Sequence, residues 1–267
     1  MKSYTPFLCP KCGEKLNLIG KSWVCPNNHC YDIAKSGYIN LLLVNQKNSL
    51  SPGDNKDMIV ARNRVMNKGY YKKLADKIVE IIPKASEIIL DAGCGIGYIP
   101  NRIKEANEKA IVIGADISKF AIESAAKNYK NVHFAVATSN NIPIPHKSVD
   151  VIICAFAPVF VEEVNRVLKS GGIFVRVVPN LDHLYNLKQY VYDVARENEL
   201  DKEALDNLKL LDTFEVKDNF IGDSEDMLSL IKMTPYYYHT KEADLDKLKK
   251  IDNFCANQSF LIRVYSK

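Results

Sequence analysis

IILDAGCGIG, residues 88–97, decides how the rest of this 267-residue chain is read. A short apolar run of the kind that forms a buried strand ends in an acid, Asp91, and Gly93, Gly95 and Gly97 follow at alternate positions. Glycines so spaced let the backbone turn sharply and approach a ligand closely, and the first amides of the following helix face that ligand. Dinucleotide-binding folds carry GxGxxG, whereas this loop is DxGxGxG with the carboxylate at the strand end. A pyrophosphate would be repelled by Asp91. S-adenosylmethionine carries no phosphate, and its ammonium group is drawn to a carboxylate, so the loop reads as a site for that cofactor, built by Asp91, Gly93, Gly95 and Gly97.

Working outward, short apolar runs alternate with segments of helical periodicity: IIL (88–90), AIVIGA (110–115), VHFAVA (132–137), VDVIICAF (149–156) and GIFVRVV (172–178). Such alternation predicts βαβ units and a parallel sheet covered on both faces. TFEVKDNF and the final SFLIRVYS add two strands suited to antiparallel pairing, with helices near 223–233 and 243–250. The predicted fold is a Rossmann-like, seven-stranded, doubly wound α/β sheet of the class I S-adenosylmethionine-dependent methyltransferases, with a small N-terminal zinc-binding module. Asp116 ends the second strand, where a carboxylate can bridge both ribose hydroxyls, and Ile117 follows it; Ser118 is the better helix cap. Thr138, Ser139 and Asn140 follow the third strand and are placed to frame adenine, with Ile142 as an apolar contact. The fourth strand runs into Ala155-Phe156-Ala157-Pro158, which lacks the [DN]PP[YF] signature of methylation at an exocyclic adenine amine.

CPKCGEKLNLIGKSWVCPNNHC, residues 9–30, holds two ligand pairs in tight turns, Cys9-x2-Cys12 and Cys25-x3-His29, around a short hairpin at Trp23 and Val24. Sulfur and nitrogen ligands at this spacing suit zinc, and four of them close a tetrahedron, which makes the site structural. His29 and Cys30 are adjacent, and spacing does not choose between them as the fourth ligand.

Hydrophobic residues make up 47% of the chain and charged ones 25%, an ordinary globular balance, and the net charge of +4 is too small to prove a nucleic-acid partner. No run of 18 apolar residues and no signal-type h-region occurs, so a cytoplasmic protein without a membrane partner is expected. Seven cysteines, an odd number partly accounted for by the metal motif, argue for reduced thiols. Three segments are expected: a zinc-binding module at 1–44, a linker and basic helical segment at 45–82, and a methyltransferase domain at 83–267. In the middle segment apolar residues from Met58 to Ile81 recur at helical spacing, and Arg62, Arg64, Lys68 and Lys72 read either as a solvated face or as an RNA-facing surface.

The combination of CPKC…CPNNH, SPGD, ARNR…GYY, LDAGCGIGY, GADIS, AFAP, KSGG, HLYNLK and MTP resembles the bacterial 23S ribosomal RNA (guanine-N1)-methyltransferases of the RlmA type, nearly over the whole chain. Some of that family confer resistance to tylosin-like macrolides. The resemblance implies methylation of guanine N1 in a hairpin loop of 23S rRNA, with zinc on Cys9, Cys12, Cys25 and His29 and the module at 1–44 acting in RNA recognition. It also implies cofactor contacts from Tyr71, Gly95, Ile96 and His183, and for the family a homodimer clamping the hairpin. Phe156 stands where many members carry Tyr, and Asn186 where some carry Glu. Guanine N1 must lose its proton to become nucleophilic, and Asp182, His183 and His239 are the candidate bases by type and position, each with a structural role as the alternative. Two other readings are a small-molecule methyltransferase, which leaves the zinc motif unexplained, and a non-catalytic zinc RNA-binding protein, which leaves Asp91 and Asp116 idle.

Overall fold

The computed structural model describes residues 4–47, 49, 52–199, 205, 207–234, 236–237 and 240–267. At the N-terminus β1 (Asn17–Ile19), β2 (Ser22–Val24) and β3 (Cys30–Asp32) form a three-stranded antiparallel ribbon. A second, larger sheet follows. Its parallel strands are β4 (Ile39–Asn40), β5 (Ile88–Ala92), β6 (Ile111–Asp116), β7 (His133–Val136), β8 (Val149–Ala155) and β9 (Leu168–Pro179). β10 (Lys209–Gly222) and β11 (Phe254–Ser266) pair antiparallel to one another, and β11 pairs antiparallel to β9. The order across the sheet is β10-β11-β9-β8-β5-β6-β7-β4.

The expected sheet of seven strands therefore has eight. Ile39 and Asn40 pair in parallel with Ala135 and Val136, and the adjacent Leu41 amide donates to the Val136 carbonyl. Ile39 and Asn40 thus carry the N-terminal segment onto the edge of the larger sheet. A two-residue strand carries almost no period-2 pattern, so nothing in YINLLLV announces it. Phe7, Leu16, Trp23 and Leu41 share one buried cluster with Ala135, Ile142 and Ile144 on one face of the sheet.

The other face is covered by α1 (Lys56–Asn67), α2 (Lys72–Ile81), α3 (Tyr98–Ala106), α4 (Lys119–Asn128), α6 (Tyr185–Val191) and α7 (Ser224–Lys232), with α8 (Glu242–Leu248) packed on α6 and α7; α5 (Val161–Val167) lies on the ribbon's side. The helical stretch expected over 57–82 is two helices. It breaks at Gly69, whose φ of +85° leaves the helical region. Val65, Leu74, Ala75 and Ile78 are fully buried, so both helices pack into the core on this face of the larger sheet. Among the described residues no helix is long and apolar enough to cross a membrane.

Candidate active site and metal centre

The glycine loop sits at the carboxyl end of β5, the central strand, where ligands bind in open α/β sheets. The amides of Gly93 and Cys94 both donate to the Ala115 carbonyl, which pins the loop to β6. Gly93 has φ +85°, and a Cβ there would stand 2.4 Å from Ala157, so only glycine lets the loop meet the AFAP turn. A Cβ on Gly95 would meet nothing within 4 Å except the Arg62 guanidinium, at 4.0 Å, so open space remains above the loop.

Three acids and one arginine surround that space. Asp91 is 1% exposed, and its Oδ1 has no hydrogen-bond partner. Burial, helped by the charge of Asp116, pushes its pKa up to about 8. Asp116 accepts from the Gly95 amide (2.9 Å) and the Ser118 amide (2.8 Å); burial raises its pKa while those two bonds oppose the rise. Ser118 caps α4 by accepting from the Ala121 amide, as expected from sequence. Its hydroxyl also donates to the Asp54 carbonyl at 2.7 Å. Gly53 and Asp54 are thereby docked beside Ile117, and Gly53 lies so close that a Cβ would be 2.8 Å from the Ser118 Cβ. Asp54 in turn faces Arg62: Oδ2 is 2.7 Å from Nε, out of line for a hydrogen bond, and Oδ1 accepts from Nη2 at 3.3 Å. An orphaned carboxylate, a second one at the ribose position, and a guanidinium beside open backbone match the ammonium, diol and carboxylate of S-adenosylmethionine. These residues fit the cofactor.

An aromatic wall closes the near side. Tyr71 stands at the N-terminal end of α2 and stacks on Phe156 with ring centres 5.5 Å apart and planes 14° off parallel. Burial pushes the Tyr71 hydroxyl up to about 12, so it stays protonated. Phe156, at the end of β8, has φ +57°, a conformation that costs a side-chain-bearing residue about 1–3 kcal/mol and clusters at functional sites. Its amide donates to the Val177 carbonyl, and the buried Arg176 guanidinium donates to the Ala157 carbonyl and the Cys154 sulfur, which hold the turn. Phe156 nevertheless remains 36% exposed.

His183 is buried against Phe260, with ring centres 4.6 Å apart. Its Nδ1 accepts from the Ser259 amide, so Nε2 carries the proton and faces the Tyr70 hydroxyl at 3.3 Å. Burial pushes its pKa down to about 4. A neutral imidazole with its lone pair already engaged is not a base, which corrects the catalytic expectation for His183. Asp182 lies on the surface, 3.9 Å from the Lys217 ammonium, and is not aimed at the glycine loop by any contact. His239 lies outside the described residues.

Thr138, Ser139 and Asn140 form the turn after β7, where the Thr138 hydroxyl accepts from the Asn140 amide. The segment just after that turn is braced by residues that sequence reasoning did not single out. Glu163 on α5 is 7% exposed and accepts from the Ile142 amide, while Arg166 donates to the Ile142 and Ile144 carbonyls and pairs with Glu163. Their only signal was an acid and a base at i,i+3 on a short helix, which is common on solvated helices.

In the ribbon, ligand atoms of Cys9, Cys12, Cys25 and His29 lie within 4.8 Å of one another. The Cys12–Cys25 sulfurs are 3.7 Å apart, and His29 Nδ1 is 3.4 Å from both the Cys9 and Cys25 sulfurs. Zinc–sulfur bonds of about 2.3 Å in a tetrahedron give edges of about 3.8 Å, shorter to nitrogen, so the four groups fit zinc. A hydrogen bond from the Asn27 side chain is the main cause that brings the Cys12 thiol down to about 6, toward the thiolate. Tyr31, another residue sequence reasoning passed over, lies with its hydroxyl 3.3 Å from the Cys9 sulfur. Cys30 is exposed on β3 and outside the cluster.

The basic residues expected to face RNA are engaged elsewhere. Arg62 is at the glycine loop. Arg64 lies within 3.2 Å of carboxylate oxygens of Asp223, Glu225 and Asp226, Lys68 reaches Asp226 at 2.5 Å, and Lys72 reaches Asp76 at 2.5 Å. Of the two readings of 57–77, these pairs favour the solvated face, and the partners of Arg64 and Lys68 come from a segment far along the chain, invisible to local charge counting.

Residues 83–234 match the family described as "Methyltransferase domain", and residues 7–50 match the zinc ribbon described as "RlmA, N-terminal". YxjB of Bacillus subtilis, named among the 23S rRNA (guanine-N1)-methyltransferases, is 30% identical over 93% of this chain and 92% of its own length. The 23S rRNA (guanine(748)-N(1))-methyltransferase of Streptomyces fradiae is 30% identical over 67% of this chain and 65% of its own. The methyltransferase solved with the Trm112 activator of Haloferax volcanii shares the fold, with a TM-score of 0.53 at 16% identity over 80% of this chain and 98% of that one. With the ribbon, the acid-ended glycine loop and these relatives together, the chain belongs to the family of 23S rRNA (guanine-N1)-methyltransferases that carry an RlmA-type zinc ribbon.

Proposed function

We propose that this chain methylates N1 of a guanine in a hairpin loop of 23S ribosomal RNA, using S-adenosylmethionine. The observation that carries the reading is the joining, in one molecule, of a Cys3His ribbon of the RlmA type with a glycine loop that ends in the unpartnered carboxylate of Asp91. Bound at that loop, the cofactor supplies an electrophilic methyl group on a sulfonium.

The chain's own residues bind and orient. Asp91 receives the ammonium, Asp116 and Ile117 receive the ribose, and the 138–140 turn, braced by Glu163 and Arg166, frames the adenine with Ile142. Arg62, released from Asp54, receives the carboxylate. Tyr71 and the backbone of Gly93, Gly95, Ile96 and Gly97 close around the methionine portion, and His183 acts through Tyr70 as a buttress for Tyr71. N1 lies on the pairing edge, so the guanine must leave any helix to react. The exposed face of Phe156, at the carboxyl end of β8, is a stacking surface for it. Guanine N1 would give its proton to solvent as it takes up the methyl group that the bound cofactor would supply.

Primer extension on ribosomal RNA tests the reading, because N1 methylation blocks reverse transcriptase. A stop present with the gene, absent on its deletion and regained on its restoration is the expected result; identical stops in all three would refute it. Phe156→Tyr should keep the activity, and Phe156→Ala should lower kcat at saturating cofactor.

A further inference from the structure

A cavity of about 560 Å³ opens where the ribbon meets the sheet, on the side away from the glycine loop. Its floor is Trp23, Ile39 and Phe134, and its rim carries Tyr4, Lys35, Tyr129, Lys130 and His133. The site is within the size range of small-ligand pockets. Tyr4 is 53% exposed and meets His133 edge-on at 6.1 Å, so the rim offers aromatic faces to an incoming ring. Lys130 Nζ donates to the Ala126 carbonyl (2.6 Å) and the Ser36 carbonyl (3.2 Å), which fixes its ammonium at the rim with one N–H remaining. Lys35 lies beside it on the turn before β4. Among the described residues no Asp or Glu lines the cavity.

Charge along the chain points the same way. Residues 1–44 hold five lysines against two acids, so +3 of the chain's +4 resides in the ribbon segment. Unlike the 57–77 stretch, the two rim lysines pair with no carboxylate within salt-bridge distance among the described contacts. An apolar floor, aromatic rim and two cations are the chemistry that holds an unstacked base with its phosphate. α4 runs from Ser118 at the cofactor side to this cavity, and its 10 residues span about 15 Å.

We infer that this cavity holds a second, unpaired nucleotide of the RNA substrate, its base against Tyr4, Tyr129 and His133 and its phosphate on Lys35 and Lys130, while the target guanine enters at the glycine loop. The inference rests on the functional reading above. It makes the ribbon an RNA anchor through its junction with the sheet and not through its zinc.

The test uses the zinc-loaded full chain and a fluorescently labelled hairpin fragment of 23S rRNA, with binding followed by anisotropy over a range of salt. Lys35→Gln with Lys130→Gln should weaken binding at least about tenfold and flatten the slope of log K against log salt by about 1 to 2. Tyr4→Ala should weaken binding about tenfold and leave the slope unchanged, since stacking releases no counterions. Affinity for S-adenosylmethionine, read by calorimetry, and zinc content should stay at wild-type values in all variants. Variants that bind the RNA with wild-type affinity and slope while the wild type methylates it would overturn the cavity and leave the functional reading standing. Loss of self-association in place of RNA affinity would assign the cavity to a second copy and overturn it equally. A wild type that neither binds nor methylates the fragment would sink the functional reading first and this one with it.

Discussion

Arg62 and Asp54 meet over the glycine loop, with Nε 2.7 Å from Oδ2, although eight residues separate them and one comes from a helix, the other from a turn. The guanidinium faces Gly95 and lies near Asp116 and Tyr71, which makes it the cation among three carboxylates at this site. Arg62→Ala should weaken S-adenosylmethionine about 10- to 100-fold, the range for a lost charge-assisted hydrogen bond. Decarboxylated S-adenosylmethionine should bind wild type and variant alike. Calorimetry on the two ligands checks this, and equal weakening of both would show that Arg62 does not read the carboxylate.

Asp91 predicts a proton coupled to cofactor binding. With its pKa at about 8 in the free protein, Asp91 is largely protonated at pH 7, and the ammonium of the cofactor ionises it. Up to one proton should be released per cofactor bound at pH 7, visible as a dependence of the calorimetric heat on buffer ionisation. Affinity should rise with pH and level off above about 8.

The same residue sets a stability trend of known sign. The unfolded carboxyl titrates near 4 and the folded one at about 8, so between those values the folded state binds more protons and loses stability as pH rises. Asp91→Asn removes that penalty. The cofactor-free variant should melt higher than wild type at pH 8.5 and at nearly the same temperature at pH 4, and should not bind the cofactor. A wild-type protein more stable than the variant at both pH values would contradict the assignment.

The ribbon separates its cysteines sharply. Cys30→Ser should leave one zinc per chain, whereas Cys12→Ser or His29→Ala should lose it, because only the latter remove a corner of the tetrahedron. Metal content by mass spectrometry under native conditions distinguishes them.

Asp226 is fully buried and joins α1 to α7 by accepting from Arg64 Nε at 2.6 Å and Lys68 Nζ at 2.5 Å, while its capping box starts α7. Asp226→Ala should cost about 2–3 kcal/mol in chemical denaturation, because it removes two charge-assisted hydrogen bonds and the N3 half of the capping box, while Asp223 and Glu225 still pair the two cations. Arg64→Ala should cost less, since its guanidinium is 29% exposed and Lys68 still serves Asp226.

Much of the site was legible along the chain. Asp91, the three glycines and Asp116 sit at strand ends whose apolar runs set the sheet, and zinc ligands two and three residues apart are close in space whatever the rest of the chain does. Spacing left His29 and Cys30 equal. The structure separates them, because β3 begins at Cys30 and its pairing with Val24 carries that side chain away from the cluster.

By itself the sequence determined the elements whose cause is local: the five parallel strands, the glycine loop, the ribbon's ligand pairs and the Ser118 cap. Only the tertiary structure decided where long side chains deliver their charge. Arg62, Arg64 and Lys68 read alike as a basic helix face, yet one lies at the cofactor loop and two are neutralised by carboxylates about 160 residues away. The addition of Ile39 and Asn40 to the sheet and the cavity beneath the ribbon share that origin. Both depend on surfaces that meet only when the chain has folded, and no period in the sequence records which surfaces will meet.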